Sequence, residues 1–329
     1  MRTKKRIGHY RIILLGLLAV LATACVQQKT LINSSDNKSE PAPYSGPIID
    51  MHIHAFEEGS AFSSMLGKEM DLALTGKVYR APATMDELRE QTFAKFEQYN
   101  IVKAMVSQGA LWKDSAADKI IIGNNHTLTV DELKQRHAEG KLDVLGEVAP
   151  SYQGMLPTDP RLTEYFDLAE ELKIPIGYHM FPGGPPGGAY FMYPKIRAHQ
   201  AKPLQLEEIL LSRPRMRIYI MHAGWPYLDD MKALMYAHPQ VYVELGAINW
   251  VLPRAEFHNF LKGLVYAGFG KRIMFGTDQM VWPETIDDAI EAVNSADFLT
   301  LEQKEDIFYN NAARFMGLSE EEIKRHKNK

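Results

Sequence analysis

Between residues 47 and 296 the chain switches repeatedly between two hydrophobic rhythms, short β-branched runs and longer stretches of helical spacing. The runs predict strands at Pro47–Ile53, Ile101–Ser107, Leu142–Val148, Ile174–His179, Arg217–His222, Val241–Gly246 and Arg272–Thr277. Helical patterns cover Thr84–Tyr99, Thr129–Glu139, Leu162–Leu172, Leu204–Ser212, Tyr227–Ala237, Pro253–Ala267 and Thr285–Ala296. Such alternation is what parallel strands joined by crossover helices look like in sequence. An eighth strand falls either at Lys119–Ile122 or near Ser151–Gly154, and the pattern does not choose between them. The prediction is an α/β fold, a single (β/α)8 TIM-type barrel, irregular around its third and fourth strands. Such a barrel runs to roughly 250 residues as one unit, so residues 47–329 suffice for one domain.

What precedes the first strand is of another kind. Residues 1–11 carry five positive charges and no acid, and Ile12–Ala24 is almost wholly apolar. That is the layout of a signal peptide, because a spanning helix needs about 20 apolar residues. The sole cysteine, Cys25, follows Leu21-Ala22-Thr23-Ala24, which resembles a bacterial lipobox with its leucine one place further out than usual. The expectation is cleavage before Cys25, lipid on its sulfur and an exported lipoprotein anchored in the cell envelope, on the periplasmic side or the cell surface. The alternative is a cysteine that merely follows an ordinary cleavage site. Residues 25–46, polar and rich in Ser, Asn and Pro, read as a flexible tether. Because residues 1–24 hold five positive charges and no negative ones, the net charge of −4 becomes −9 for the remainder. Such an acidic chain has no basic surplus for a phosphate backbone, which argues against nucleic acid and for a small-molecule substrate. One cysteine also excludes an internal disulfide.

The first predicted strand ends in Asp50-Met51-His52-Ile53-His54. Side chains alternate along a strand, so His52 and His54 share a face and can grip one ion together. His-x-His alone is a weak signal. Its weight comes from polar residues at later strand ends: His179 in IPIGYHM, His222 in IYIMHAGWP and Asp278 in RIMFGTDQM. Barrel chemistry gathers at the C-terminal ends of strands, and all five residues fall there. Glu147, in LDVLGEVAP, is an acid inside an apolar run and needs a metal or an arginine as partner. It either bridges two ions or is a hydrogen-bonded structural residue near the barrel mouth.

With IDMHIH in the first strand, His179 and His222 at strand ends, GTD at 276–278 and YNNAARFMGL at 309–318, the chain resembles the amidohydrolase superfamily over residues 47–318. The resemblance is strongest to the amidohydrolase-related branch that includes aminocarboxymuconate-semialdehyde decarboxylase. It implies a metal-dependent enzyme in which His52, His54, His179 and Asp278 ligate a divalent ion, Zn²⁺ being expected, while His222 joins a second metal or acts beside the first. No lysine ends the fourth or fifth strand, which argues against a carbamate-bridged pair and favours one ion. Two ions are the alternative should Glu147 bridge, and nucleases of the TatD type place a glutamate in a similar Gly-Glu context.

The implied activity is hydrolysis of a small ester, lactone or amide. The ion lowers the pKa of bound water from 15.7 towards about 7, Asp278 acts as general base, and His222 steadies the oxyanion. The first alternative is non-oxidative decarboxylation of an aromatic or unsaturated acid, which wants an arginine, Arg254 being the candidate, to hold the carboxylate. The second is a non-catalytic binding lipoprotein. Trp225 and Trp250, just past strand ends, are candidate pocket residues alongside Arg254. The run GGPPGG at 183–188 reads as a lid or wall, because its prolines remove the amide donors a phosphate cradle needs. His126, His137, His199, His238, His258 and His326 fall in helices or loops and read as solvated surface.

Overall fold

The computed structural model describes residues 43–116, 118–184 and 189–328. Cys25, the predicted leader and most of the predicted tether lie outside the described residues, as do 185–188 of the Gly-Pro run. Eight parallel strands succeed one another around a single sheet in chain order: β1 (Ile48–His54), β2 (Ile101–Ser107), β3 (Ile120–Asn124), β4 (Val144–Val148), β5 (Ile176–His179), β6 (Ile218–Met221), β7 (Val241–Glu244) and β8 (Ile273–Met274). The strand left between two positions is therefore the Ile120 run. The other position forms the 3-10 turn Pro150–Gln153.

The seam closes where the last strand returns to the first. Met51 N donates to Phe275 O (3.0 Å), Asp278 N to His52 O (2.7 Å) and His54 N to Gln279 O (2.9 Å). The result is a TIM barrel. All seven residues of β1 are buried, as expected for a parallel strand covered on both faces. The irregularity expected near the third and fourth strands is a register shift between β4 and β5, between Leu145 and Val148, and Glu147 sits within it.

Helices begin where side chains satisfy the first free amides: Thr84 accepts from Glu87 N, and Thr129 forms a reciprocal cap with Glu132. One cluster of apolar side chains, among them Met51, Met105, Ile121, Val144, Tyr219 and Met274, draws on six of the eight strands and packs against Tyr309 and Phe315. The larger cluster lies between strands and helices. Sequence periodicity did not anticipate the antiparallel hairpin Glu69–Leu72 with Lys77–Arg80, whose strands are too short to show a period. Among the described residues no helix is long and apolar enough to cross a membrane.

Candidate metal centre

The strand-end residues converge. His52 Nε2, His54 Nε2, Asp278 Oδ1 and Glu147 Oε2 face one another at the barrel mouth. His54 Nε2 lies 3.1 Å from His52 Nε2 and 3.0 Å from Asp278 Oδ1, which is 3.3 Å from His52 Nε2. Glu147 Oε2 is 3.5 Å from His54 Nε2 and 3.8 Å from His52 Nε2. Four ligands about 2.0–2.1 Å from a tetrahedral ion stand about 3.3 Å apart, and the separations of His52 and His54 from each other and from the two carboxylates are of that size. The other oxygen of the same carboxylate turns to a second set. Glu147 Oε1 contacts His179 Nδ1 closely and lies 3.6 Å from His222 Nε2, which is 3.0 Å from His179 Nδ1. The His and carboxylate donors thus fit divalent cations, and Glu147 offers one oxygen to each set.

Partners beneath the donors aim them. His52 Nδ1 bonds Glu244 Oε2 at 3.1 Å, leaving Nε2 for the cluster. His222 Nδ1 donates to Gly246 O at 2.9 Å with the same effect. Such outer contacts set tautomer and ring orientation. Asp50 accepts from His52 N (3.0 Å), Thr277 N (3.0 Å) and Thr277 Oγ1 (2.7 Å), so the motifs IDMHIH and GTD are stitched together by one carboxylate. His222 and Asp278 adopt left-handed backbone, φ 60° and 53°, a conformation His and Asp tolerate better than most residues and one concentrated at functional sites.

Burial opposes charge at each of these groups, and the neighbours decide the outcome. Glu147, though buried, is held well below the usual carboxylate range by His179, His222 and His52. Against the same burial, His52 and His54 with His222 hold Asp278 down. His52 is raised well above an ordinary imidazole because Asp278, Glu244 and Glu147 outweigh its burial, and Glu147 and Asp278 do likewise for His222. At His179 burial prevails over Glu147 and the pKa falls. Asp50, fully buried like His52, is pushed up to about 7 by that burial despite its hydrogen bonds. An ion entering such a cluster replaces protons with its own charge.

Above the donors lies a cavity of about 370 Å³. His54, Glu147, His179, His222 and Asp278 form part of its lining, and Phe56, Phe62, Tyr152, Tyr193, Phe181 and Trp282 supply its aromatic surface. Gly183 and Gly184, at the start of the Gly-Pro run, also line it, in keeping with a wall. Three expected pocket residues lie elsewhere. Trp250 is buried, its Nε1 donating to Thr277 O at 2.6 Å and its ring edge-on to Tyr79. Arg254 turns outward to pair with Glu291. Trp225 lines a neighbouring pocket instead.

Three residues escaped sequence reading. Glu244 is fully buried, and a Cβ at either Gly246 or Gly276 would overlap its carboxylate. The signal was there, since Glu244 interrupts an apolar run as Glu147 does. Asp50 stood inside the quoted motif. His126, read as surface, lines the cavity, its Nδ1 buried with no hydrogen-bond partner among the described residues. His238 and His326, likewise read as surface, are buried.

A family model described as amidohydrolase matches residues 49–318. The chain belongs to the amidohydrolase family. The curated relative it matches, the protein fluG of Emericella nidulans, is 25% identical over 138 residues; the match takes in 37% of this chain and 16% of that much longer protein. Among solved structures, an uncharacterized TIM-barrel protein from Bordetella bronchiseptica superposes with a TM-score of 0.61 at 16% identity, covering 82% of this chain and 98% of the other. A probable 2-pyrone-4,6-dicarboxylic acid hydrolase from Acinetobacter baumannii, with citric acid bound, gives 0.55 at 15% identity over 82% and 99%. A 5-carboxyvanillate decarboxylase from Novosphingobium aromaticivorans, with manganese and a nitrobenzoic acid, gives 0.56 at 12% identity over 86% and 100%. At these identities the likeness concerns the fold. Membership of the amidohydrolase family, with the His and carboxylate cluster, makes this chain a metal-dependent enzyme.

Proposed function

We propose that the chain hydrolyses a small uncharged ester, lactone or amide at a two-ion centre bridged by Glu147, with Zn²⁺ as the resident metal. The observation that carries hydrolysis over decarboxylation is the character of the cavity wall. Around the donors it is lined by aromatic, thioether, hydroxyl, carboxamide and small side chains and by the imidazole of His126, whose pKa burial lowers, with no Lys or Arg among the described lining residues, and the arginine expected to hold a carboxylate is paired with Glu291 outside it. A divalent ion supplies acidified water and a polarised carbonyl. Asp278, charged and at the cavity floor, accepts the proton of the attacking water and returns it to the departing oxygen or nitrogen. Glu147 holds the two donor sets in register. His222 contributes Nε2 to the second set, which is the two-ion form of the role expected for it.

The decarboxylase-like structural neighbours sustain a second reading, in which Asp278 and His222 deliver a proton to carbon. Product analysis separates the two. Oxygen from ¹⁸O-labelled water enters a hydrolysis product, whereas decarboxylation releases CO₂ and leaves solvent deuterium on carbon. CO₂ release from an aromatic acid, with no turnover of esters, lactones or amides, would overturn hydrolysis. Export rests on the leader and Cys25: Cys25→Ser is expected to free the protein from the membrane fraction and abolish fatty-acid labelling, and an unlabelled parent would refute the anchor.

A further inference from the structure

Beside the catalytic cavity is a second, smaller pocket of about 150 Å³. Leu72 and Leu74 of the hairpin, Trp225 after β6, and Val251 with Leu252 after β7 form most of its wall. A volume of about 150 Å³ is that of a cavity able to hold a benzene-sized guest, and this one opens to solvent on one side. Ala73 and Pro182 complete the wall on its own side, while Phe181, Gly183 and Gly184 line both this pocket and the catalytic cavity. The Phe181 ring stands between them, its centroid 5.2 Å from that of His222 on one side and 5.7 Å from that of Trp225 on the other. Trp225 is fixed by a 3.0 Å hydrogen bond from Nε1 to Glu256, so the pocket wall is held in place before anything binds.

We infer that this pocket is a binding subsite for an apolar arm of the substrate, of about the size of a phenyl ring, attached close to the bond that is cleaved. The inference rests on the hydrolase reading above and adds to it the chemical class of the group that gives selectivity. Phe181 touches both His222 and Trp225, so an arm that passes its ring needs only a short linker to a carbonyl at the donor cluster. Burying the arm stabilises the bound substrate in proportion to the apolar area removed from water. Small polar substrates forgo that gain, and the pocket therefore sorts by arm size and polarity.

Leu74 makes the test practicable. It lies in the hairpin turn and is 64% exposed, lines the small pocket and is absent from the described lining of the catalytic cavity. Leu74→Glu places a carboxylate at the mouth of the small pocket with little consequence for folding, and Leu74→Met restores an apolar side chain of similar volume. Two readouts on the full-length, metal-loaded protein decide the matter. In the first, fluorobenzene binding is followed by ¹⁹F NMR line broadening; Leu74→Glu is expected to weaken it at least about tenfold and Leu74→Met to leave it near the parental value. In the second, kcat/KM is compared for benzyl acetate and ethyl acetate, whose alcohols leave with similar ease. The parent is expected to prefer benzyl acetate, and Leu74→Glu to cut that preference by about tenfold or more.

Fluorobenzene binding that Leu74→Glu does not alter, or a benzyl preference equal in parent and variant, would overturn the subsite. Loss of fluorobenzene binding in Leu74→Glu with no ester turned over by the parent would uphold the apolar pocket and count against ester hydrolysis alone.

Discussion

The two halves of the donor cluster are built differently. The half at the barrel seam, His52, His54 and Asp278, is braced from below: Glu244 holds His52, Asp50 ties β1 to Thr277, and His54 stacks on Phe56 at 5.5 Å with planes 4° apart. The half on the opposite wall, His179 and His222, is leaner. His222 is tied to Gly246 O, but His179 Nε2 is buried with no hydrogen-bond partner among the described residues. Outer contacts of this kind change metal affinity by about 10–100-fold. The difference teaches that the seam half is a preassembled site and the wall half one completed by Glu147 and by what binds. The seam is therefore expected to keep its ion when the wall has lost its own.

The largest effect is expected at the group that touches both metal and water. Asp278→Asn keeps the shape and loses the basicity, and kcat should fall by about 10³-fold, within the usual range for a lost general base, with metal partly retained. Steady-state kinetics check this, and a drop below about tenfold would remove Asp278 from the proton path. Next come the histidines, which set the two halves against each other. His52→Ala should leave the protein nearly metal-free and His179→Ala should leave about one ion per chain, because only the first removes a braced donor. Elemental analysis reads both, and equal losses would erase the distinction between the halves.

A smaller effect sharpens the comparison from beneath. Glu244→Gln keeps a hydrogen-bonding group of the same size but removes the charge facing His52, so affinity for the seam ion should fall by about 10–100-fold with secondary structure unchanged. Competition with a metal-indicator dye measures it. The smallest effect belongs outside both halves. Arg254→Ala removes a surface pair with Glu291, and its cost should stay within about 1 kcal/mol, with kinetics as in the parent. A selective loss of activity on carboxylate substrates in that variant would restore Arg254 to the pocket and weaken the uncharged-substrate reading.

The barrel was legible because its two periods are strong: seven strands carry β-branched runs bounded by helical spacing. The Ile120 strand was left ambiguous because a short apolar run has no length to average over. The hairpin at 69–80 was invisible for the same reason. The five strand-end residues were legible because a polar group ending an apolar run is improbable without a partner. Glu244 met that criterion and was passed over, since nothing in a linear reading says that Gly246 and Gly276, 30 residues apart, clear the space for one carboxylate. Trp250 and Arg254 were misplaced because position after a strand does not determine which way a side chain turns. Trp250 points into the core to reach Thr277, and Arg254 points out to Glu291.

The two-ion centre stands or falls on Glu147, whose two carboxylate oxygens face the two donor sets. Its most direct test is the number of ions per chain in protein purified without chelator, measured by elemental analysis for the parent and for Glu147→Gln. A bridging carboxylate predicts about two ions in the parent and about one in the variant, the survivor being held at the seam. A parent with about one ion and a variant that keeps it, altered only in stability, would mean that Glu147 is a structural residue and that the two-ion centre does not exist.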